Sequence, residues 1–472
     1  MEEFVGRTKE LGLLEEQYLS SKSSFIPIYG RRRIGKSELI LRFIRTKPAI
    51  YFVAGRSTVR SQIQEFLRVA ARKLKAPLLE SVNVSNWKAA LEMVSSQWDR
   101  DEKLVLAFDE FQWAAQAASD LTSTLQQLWD LEWRRSGKIM LILCGSFIGF
   151  MEREVLGRKS PLFGRRTAQI LLKPFAYHEA AQFHPKYSLV DQARVYFICG
   201  GIPLYLRCFD QGRSVAMNIR ENFLEEHAVL FHEAEFLLRE ELQGVESYYS
   251  ILTTLSTAEP TVQAIARNTG IDVRNLPYYL HQLVALGYVS KKYPLTGKKP
   301  TARSVRYFVS DPLLQFWFRF VKPNRSYIIQ AGADRAYQDV VAPTLDSFLG
   351  HRFEDLCREA LPFLYDEEKV RAPYQIGEFW AKECQIDVVG YRDDGWTDLG
   401  ECKWSPSIST TEVVRELEAK VRHYPNDRQA TVQRRVFVRT RRRRSAIAAA
   451  AARWHTLDDL YAAPRRFPFE SP

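Results

Sequence analysis

The sequence predicts an α/β protein: a parallel sheet carrying a phosphate-binding loop, a helical segment with a winged helix-turn-helix, and a second, smaller α/β domain. Three observations predict it. Short apolar runs alternate with segments of helical spacing over the first 175 residues. The octapeptide Gly30-Arg31-Arg32-Arg33-Ile34-Gly35-Lys36-Ser37 stands between one such run and a helical stretch. Residues 386–389 and 399–404 read as paired strands around a turn at Asp393-Asp394-Gly395.

The elements follow in order. The apolar run 25–29 leads into the octapeptide, and residues 38–45 carry apolar side chains at helical spacing, which gives strand, loop, helix. Further strands are expected at 49–54, at 103–108, which ends in Asp109 and Glu110, and at 138–145, which ends in Ser146; helices at 63–73 and 121–134 lie between them. Alternation of this kind builds a parallel sheet that gathers ligands at the carboxyl ends of its strands. This domain is assigned to residues 1–175. Helical patterns at 177–183, 190–198 and 214–243 suit a helical lid over 176–245. Helices at 248–256, 262–268 and 274–286, then a hairpin of 288–292 and 306–309, make a winged helix over 246–321. Pro, Asn, Gly and Asp in 322–344 predict a linker, and a last domain fills 345–472.

Bulk properties narrow the setting. At 472 residues and 46% hydrophobic content the chain can bury several cores. Its apolar runs, such as 139–144 and 446–452, fall far short of the ~20 residues that span a bilayer. The opening Met-Glu-Glu-Phe lacks the basic-then-apolar order of a secretory signal, so a cytoplasmic protein without a membrane partner is expected. Cys144, Cys199, Cys208, Cys357, Cys384 and Cys402 are scattered, with no zinc-ligand spacing, which predicts free thiols. The formal net charge of +11 points towards a polyanionic partner.

The octapeptide satisfies the P-loop pattern in full. Its glycines let backbone N–H groups turn towards phosphate oxygens, and the helix that begins near Lys36 aims its positive dipole end at the same anion. Lys36 is expected to neutralise β- and γ-phosphate charge and the Ser37 hydroxyl to bind Mg²⁺. Asp109, at the tip of a neighbouring strand, would hold the same Mg²⁺, and Glu110 would polarise the attacking water. ATP with Mg²⁺ is the ligand these residues call for.

Phe4-Val5-Gly6-Arg7 with Glu10-Leu11, the octapeptide, Phe108-Asp109-Glu110-Phe111-Gln112 and Ser146 resemble the archaeal-type ATPase family within the AAA and STAND-like P-loop proteins. Residues 161–165 and 200–205 extend the resemblance. It implies that Val5, Gly6 and Arg7 lie near the adenine, that Ser146 senses the γ-phosphate, and that Arg165 stabilises transition-state charge. Arginines of that kind act across a lid or subunit interface, so a homo-oligomer or another protein partner is an expected context.

In the winged helix, residues 274–286 would form the recognition helix, with Arg274, Asn275, Tyr278, His281 and Gln282 outside an apolar face of Leu276, Leu280, Leu283 and Leu286. Lys291, Lys292, Lys298, Lys299, Arg303 and Arg306 on the wing would meet DNA phosphates. A winged helix that serves only for packing is the alternative. In the last domain Glu401 and Lys403 share one strand face, and Asp387 on the adjacent strand could join Glu401 around Mg²⁺. Lys403 would then orient or deprotonate a water that attacks a phosphodiester. Asp387, a spacer and Glu401-Cys402-Lys403 resemble the PD-(D/E)xK nuclease core, with Ile386 in place of proline. The resemblance implies a further acidic metal ligand on the preceding helix, at Glu354. It is specifically to the nuclease-like domain of unknown function that follows archaeal-type ATPase domains. Arg441 to Arg444 could hold a DNA backbone. Two functions are expected from this reading: an ATP-hydrolysing, DNA-associated protein with Mg²⁺-dependent endonuclease activity, or an ATP-dependent regulatory switch whose nuclease fold is inactive.

Overall fold

A computed structural model describes residues 4–301, 304–406, 409–440 and 450–466. Arg303 and the Arg441 to Arg444 cluster lie outside the described residues. The chain divides into two compact units, one running to residue 174 with 202–204 added, the other holding 175–201 and everything from 205 onward. The helices at 177–183 and 190–198, expected as part of a lid on the first domain, therefore belong to the second unit.

The first unit is built on a five-stranded sheet of β1 (Ser24–Tyr29), β2 (Ala49–Val53), β3 (Leu104–Asp109), β4 (Ile139–Gly145) and β5 (Ile170–Leu171), in the order β2-β3-β4-β1-β5 and parallel throughout. Every residue of β1, β3 and β4 is buried, as a sheet covered on both faces requires, which is why these strands read as continuous apolar runs. Pro27 stands inside β1 at no cost to the ladder. Phe25 bonds Thr167 and the Tyr29 carbonyl accepts from Leu172, so odd-numbered residues of β1 face β5. There the pairing covers only Ile28 and Tyr29, and the N–H that Pro27 lacks is not needed.

Behind the sheet, helix Val59–Leu74 starts at Thr58, whose side chain accepts from the Ser61 amide, and helix Trp87–Ser96 starts at Asn86, which accepts from Ala89. These caps set the helices so that Phe66 and Trp87 meet Phe52 and Phe108, with ring centroids 5.5 to 5.8 Å apart. All four rings are buried, and the cluster fixes the strand whose tip carries Asp109.

The second unit departs from expectation in two places. The single helix expected over 214–243 is broken: Val215–Ile219 and the wide turn Arg220–Leu224 end at Glu225, and a new helix runs Val229–Glu241. A continuous helix would carry Glu226 and His227 into the stripe formed by Ile219, Phe223, Leu230 and Ala234, and the break leaves both exposed. Residues 322–344, expected as a linker, are helical, through Arg325–Ala331, Ala333–Ala336 and the start of the long helix Ala342–Glu367, and they bury Ile328, Ala336 and Val341. The breakers that suggested a linker occupy permitted positions. Pro323 and Pro343 sit in first turns and Gly332 at the joint between two helices.

Helices Val245–Thr257, Val262–Thr269 and Leu276–Ala285 precede an antiparallel hairpin of β6 (Val289–Lys292) and β7 (Arg306–Val309). A mixed sheet follows, ordered β12-β11-β10-β9-β8 from β8 (Tyr374–Trp380), β9 (Gln385–Arg392), β10 (Trp396–Lys403), β11 (Thr431–Val438) and β12 (Arg453–Thr456). The first three form an antiparallel meander, and helix Thr410–Val421 supplies the crossover that lets β11 run parallel to β10.

Candidate functional site

At the carboxyl end of β1 the chain turns sharply. Gly30 adopts φ 152°, and a Cβ there would stand 2.4 Å from the Leu172 carbonyl oxygen, so no other residue fits without moving the chain. Arg33 (φ 66°) and Gly35 (φ 88°) curl the loop before helix Lys36–Ile44 begins. Arg31 and Arg32 are half-buried, Arg33 exposed and Ile34 buried in the core. The Lys36 ammonium is 6% exposed and donates to the carbonyls of Gly30 (3.0 Å) and Arg31 (2.9 Å). Burial depresses its pKa, while Cys144, Glu110 and Asp109 in its field oppose the shift. Lysine and both acids are thus brought together.

The amino-terminal residues reach the same loop. Gly6 and Arg7 take left-handed conformations before helix Thr8–Leu19, and the buried Arg7 guanidinium donates to the Ile34 carbonyl at 3.3 Å. Val5 and Gly6 are half-buried beside it in sequence.

Asp109 is 2% exposed, accepts the Glu110 amide at 2.9 Å and accepts the Tyr51 hydroxyl at 2.5 Å. The same hydroxyl hydrogen-bonds Ser37, and burial and the Asp109 charge push the phenol far above its usual range. Ser37, exposed, and Asp109 therefore both reach the Tyr51 hydroxyl. They are the hard oxygen donors that Mg²⁺ takes, and the pair fits that ion. Tyr51 was not singled out from the sequence; a hydroxyl inside the apolar strand Ala49–Val53 is the signal that marks it.

Glu110 sits in a left-handed conformation (φ 52°), unusual for a residue with a side chain. Its carboxylate accepts from the Ser146 hydroxyl at 2.9 Å and from the Gln112 amide, which also lies 3.3 Å from Ser146. Gln112, whose role the sequence did not disclose, fits because Gly145 has no Cβ, which would come within 2.9 Å of the Gln112 side-chain oxygen. Arg165 is committed elsewhere. Its guanidinium forms a forked pair with Asp130 (2.7 and 3.0 Å) and donates to the Pro161 and Phe163 carbonyls, so the expected transition-state role has no free donor fork in this arrangement.

A second cluster lies in the second unit. The β9–β10 register, Gly400 opposite Val388, brings Asp387 opposite Glu401. Asp387 accepts the Cys402 amide at 2.9 Å, and burial together with the Glu401 charge pushes it up to about 7. Burial and Asp387 in turn push Glu354 well above the usual carboxylate range. Glu401, 3% exposed, is held by Lys403 at 3.0 Å and by Lys420 at 2.6 Å, and Lys403 also pairs with Glu416. Burial lowers the Lys403 pKa, but Glu401 and Glu416 outweigh it and leave the group raised. Among the described residues no three His, Cys, Asp or Glu side chains stand together as a metal site. The expected set of Glu354, Asp387 and Glu401 is thus not gathered as one site, and the Lys420 ammonium, unforeseen from the sequence, pairs with one Glu401 oxygen.

The hairpin cations also differ from expectation. Lys292 pairs with Glu378 (2.7 Å) and Asp355 (3.4 Å), Lys298 pairs with Asp427, and Arg306 lies 4.8 Å from the Trp380 ring. Leu295 anchors the intervening loop, donating to the Glu378 carbonyl and accepting from the Tyr424 hydroxyl. These cations face the carboxyl-terminal sheet, leaving Lys291 and Lys299 exposed. On helix Leu276–Ala285 and its lead-in, Arg274, Asn275, Tyr278 and His281 are exposed, while Leu276, Leu280 and Leu283 are buried.

Comparison with known proteins finds two families along the chain, the first of which extends past the first unit into residues 175–209. Residues 4–209 match an ATPase domain family found predominantly in Archaea, and residues 317–450 match a family of archaeal and bacterial proteins of unknown function. An uncharacterized protein of Methanocaldococcus jannaschii is 28% identical over 407 residues, 85% of this chain and 87% of that one. An uncharacterized ATP-binding protein of the same organism is 46% identical over 44 residues, 9% of this chain and 75% of its own length. Among solved structures, a Walker-type ATPase of Pyrococcus abyssi shares the fold at a TM-score of 0.51 and 19% identity, over 67% of this chain and 96% of that one. Among the described residues no helix is long and apolar enough to cross a membrane.

Proposed function

We propose that the chain, which carries an archaeal-type ATPase domain at residues 4–209, binds ATP with Mg²⁺ on the loop 30–37, hydrolyses it, and uses its second unit on DNA. The observation that carries the reading is the convergence of Lys36, Asp109 and Glu110 at the carboxyl ends of β1 and β3. Loop amides and Lys36 hold the phosphates; Ser37 and Asp109 hold the cation, which when bound offsets charge on the β- and γ-oxygens. Glu110 accepts the proton of the attacking water. Ser146 and Gln112, which donate to Glu110, are placed to reach the γ-phosphate beside it. Glu110→Gln is expected to leave ATP affinity within a few-fold of the parent and to lower hydrolysis by about 100-fold or more, measured by phosphate release. Undiminished turnover would remove Glu110 from the mechanism.

The helix order 245–285 with its hairpin supports a winged helix, whose exposed Arg274, Asn275, Tyr278 and His281 suit contact with DNA. A second reading, Mg²⁺-dependent nicking of DNA, is favoured by one observation: Asp387 faces Glu401 beside Lys403, in the field of Glu354. Supercoiled plasmid incubated with Mg²⁺ or Mn²⁺ is then converted to open circles by the parent chain and left intact by Asp387→Ala. Intact plasmid with both proteins would reduce the domain to a nuclease fold without cleavage, serving an ATP-dependent switch.

A further inference from the structure

The second unit contains a cavity of about 490 Å³, bounded by the end of helix Val245–Thr257, the β6–β7 hairpin, residues 312–321, the long helix Ala342–Glu367 and strands β8 and β9. That volume lies in the range of small-ligand sites and accommodates one nucleotide. Its wall carries five Lys or Arg side chains and three carboxylates. Three of the cations are paired: Lys292, Arg352 and Arg358 share Asp355 and Glu378.

Arg306 and Arg319 are different. Among the described residues neither side chain has an ion pair or hydrogen bond; Arg306 rests over Trp380, and Arg319 lies 5.4 and 6.0 Å from the rings of Phe320 and Phe348. Burial depresses the pKa of both guanidinium groups. Glu378 and Glu259 offset part of that cost for Arg306, whereas Arg319 has no carboxylate acting on it among the described residues; an anion in the cavity would offset the remainder. Arg352 adds a buried Nε without a hydrogen-bond partner. Phe308, partly exposed in the same wall, offers apolar surface to a flat ring, and the buried Phe348 backs the cavity.

We propose that this cavity is a second nucleotide site, taking a phosphate-bearing nucleotide with its phosphate on Arg306 and Arg319 and its base against Phe308. The site is independent of the loop 30–37. The same chemistry arrives either as a free nucleotide or as the terminal nucleotide of a strand.

The test uses the full chain carrying Lys36→Ala, which silences the loop, with titration calorimetry of dAMP, a 5′-phosphorylated single-stranded oligonucleotide and its 5′-hydroxyl counterpart. A free-nucleotide site binds dAMP; a strand-end site binds the phosphorylated oligonucleotide and rejects the hydroxyl one. In either case Arg306→Gln and Arg319→Gln each weaken binding about tenfold or more. Since neither side chain holds an ion pair or hydrogen bond among the described residues, the unliganded variants melt within a few degrees of their parent, which separates a binding role from a structural one. Absence of binding by both phosphorylated ligands, or equal affinity in the Arg306→Gln/Arg319→Gln double variant, overturns the proposal.

Discussion

Replacing Lys36 by alanine is expected to abolish ATP uptake, with affinity falling about 100-fold or more in equilibrium titration, because several charge-assisted contacts to the β- and γ-phosphates go together. The structure gives this substitution an additional meaning. The Lys36 ammonium donates to the Gly30 and Arg31 carbonyls, two neutral acceptors that phosphate oxygens would outcompete for a buried cation. A buried cation whose pKa burial already depresses gains more from an anion than an exposed one would. Alanine removes that gain and leaves the loop carbonyls to water, at little cost to the first unit's core, which lies in the Phe52, Phe66, Trp87 and Phe108 cluster. Ser37→Ala should act differently, weakening Mg²⁺-dependent binding and sparing metal-free binding. Unchanged affinity in a well-folded Lys36→Ala protein would refute the nucleotide site as a whole.

What was legible in the sequence is what short-range pattern encodes. The loop is eight contiguous residues, and Asp109, Glu110 and Ser146 are recognisable because each directly follows an apolar run that only a covered parallel strand would need. The β9–β10 pairing was legible for a similar reason, since period-two alternation and the Asp393-Asp394-Gly395 turn fix its register. Contacts made by tertiary packing were not. Tyr51 meets Asp109 from a strand 58 residues away, and Lys420 reaches Glu401 from a crossover helix whose lysine looked like any solvated one. Gln112 was in view, yet its contact with Ser146 depends on the missing Cβ of Gly145. Composition misled at 322–344, where proline and glycine mark helix starts and joints as readily as linkers. Charge misled on the hairpin, because Lys292 and Lys298 answer carboxylates far along the chain.

The largest stability effect is expected from Arg435→Met. Arg435 is fully buried in β11, with Nε 2.5 Å from Asp398 and its terminal nitrogens 2.6 and 2.7 Å from Glu368. Asp398, equally buried in β10, also accepts the Tyr365 hydroxyl at 2.6 Å. One guanidinium thus joins a strand of the sheet to the end of the long helix Ala342–Glu367, and it balances two carboxylates. Methionine keeps the length of the side chain but leaves Asp398, among the described residues, with only the Arg392 cation, at 3.7 Å, and Glu368 with only the half-exposed Arg453, at 2.7 Å. Removing one partner of a buried pair costs about 3–5 kcal/mol, so the second unit should melt roughly 10 °C lower by scanning calorimetry. Asp398→Asn added to Arg435→Met should restore part of that loss, since it neutralises one stranded charge while Asn still accepts from Tyr365. The exposed Lys298–Asp427 pair provides the contrast, because its loss should change stability by no more than about 0.5 kcal/mol. If Arg435→Met melted within a degree of the parent, Arg392 and Arg453 must suffice to satisfy Asp398 and Glu368, and Arg435 would not be what ties the helix to the sheet.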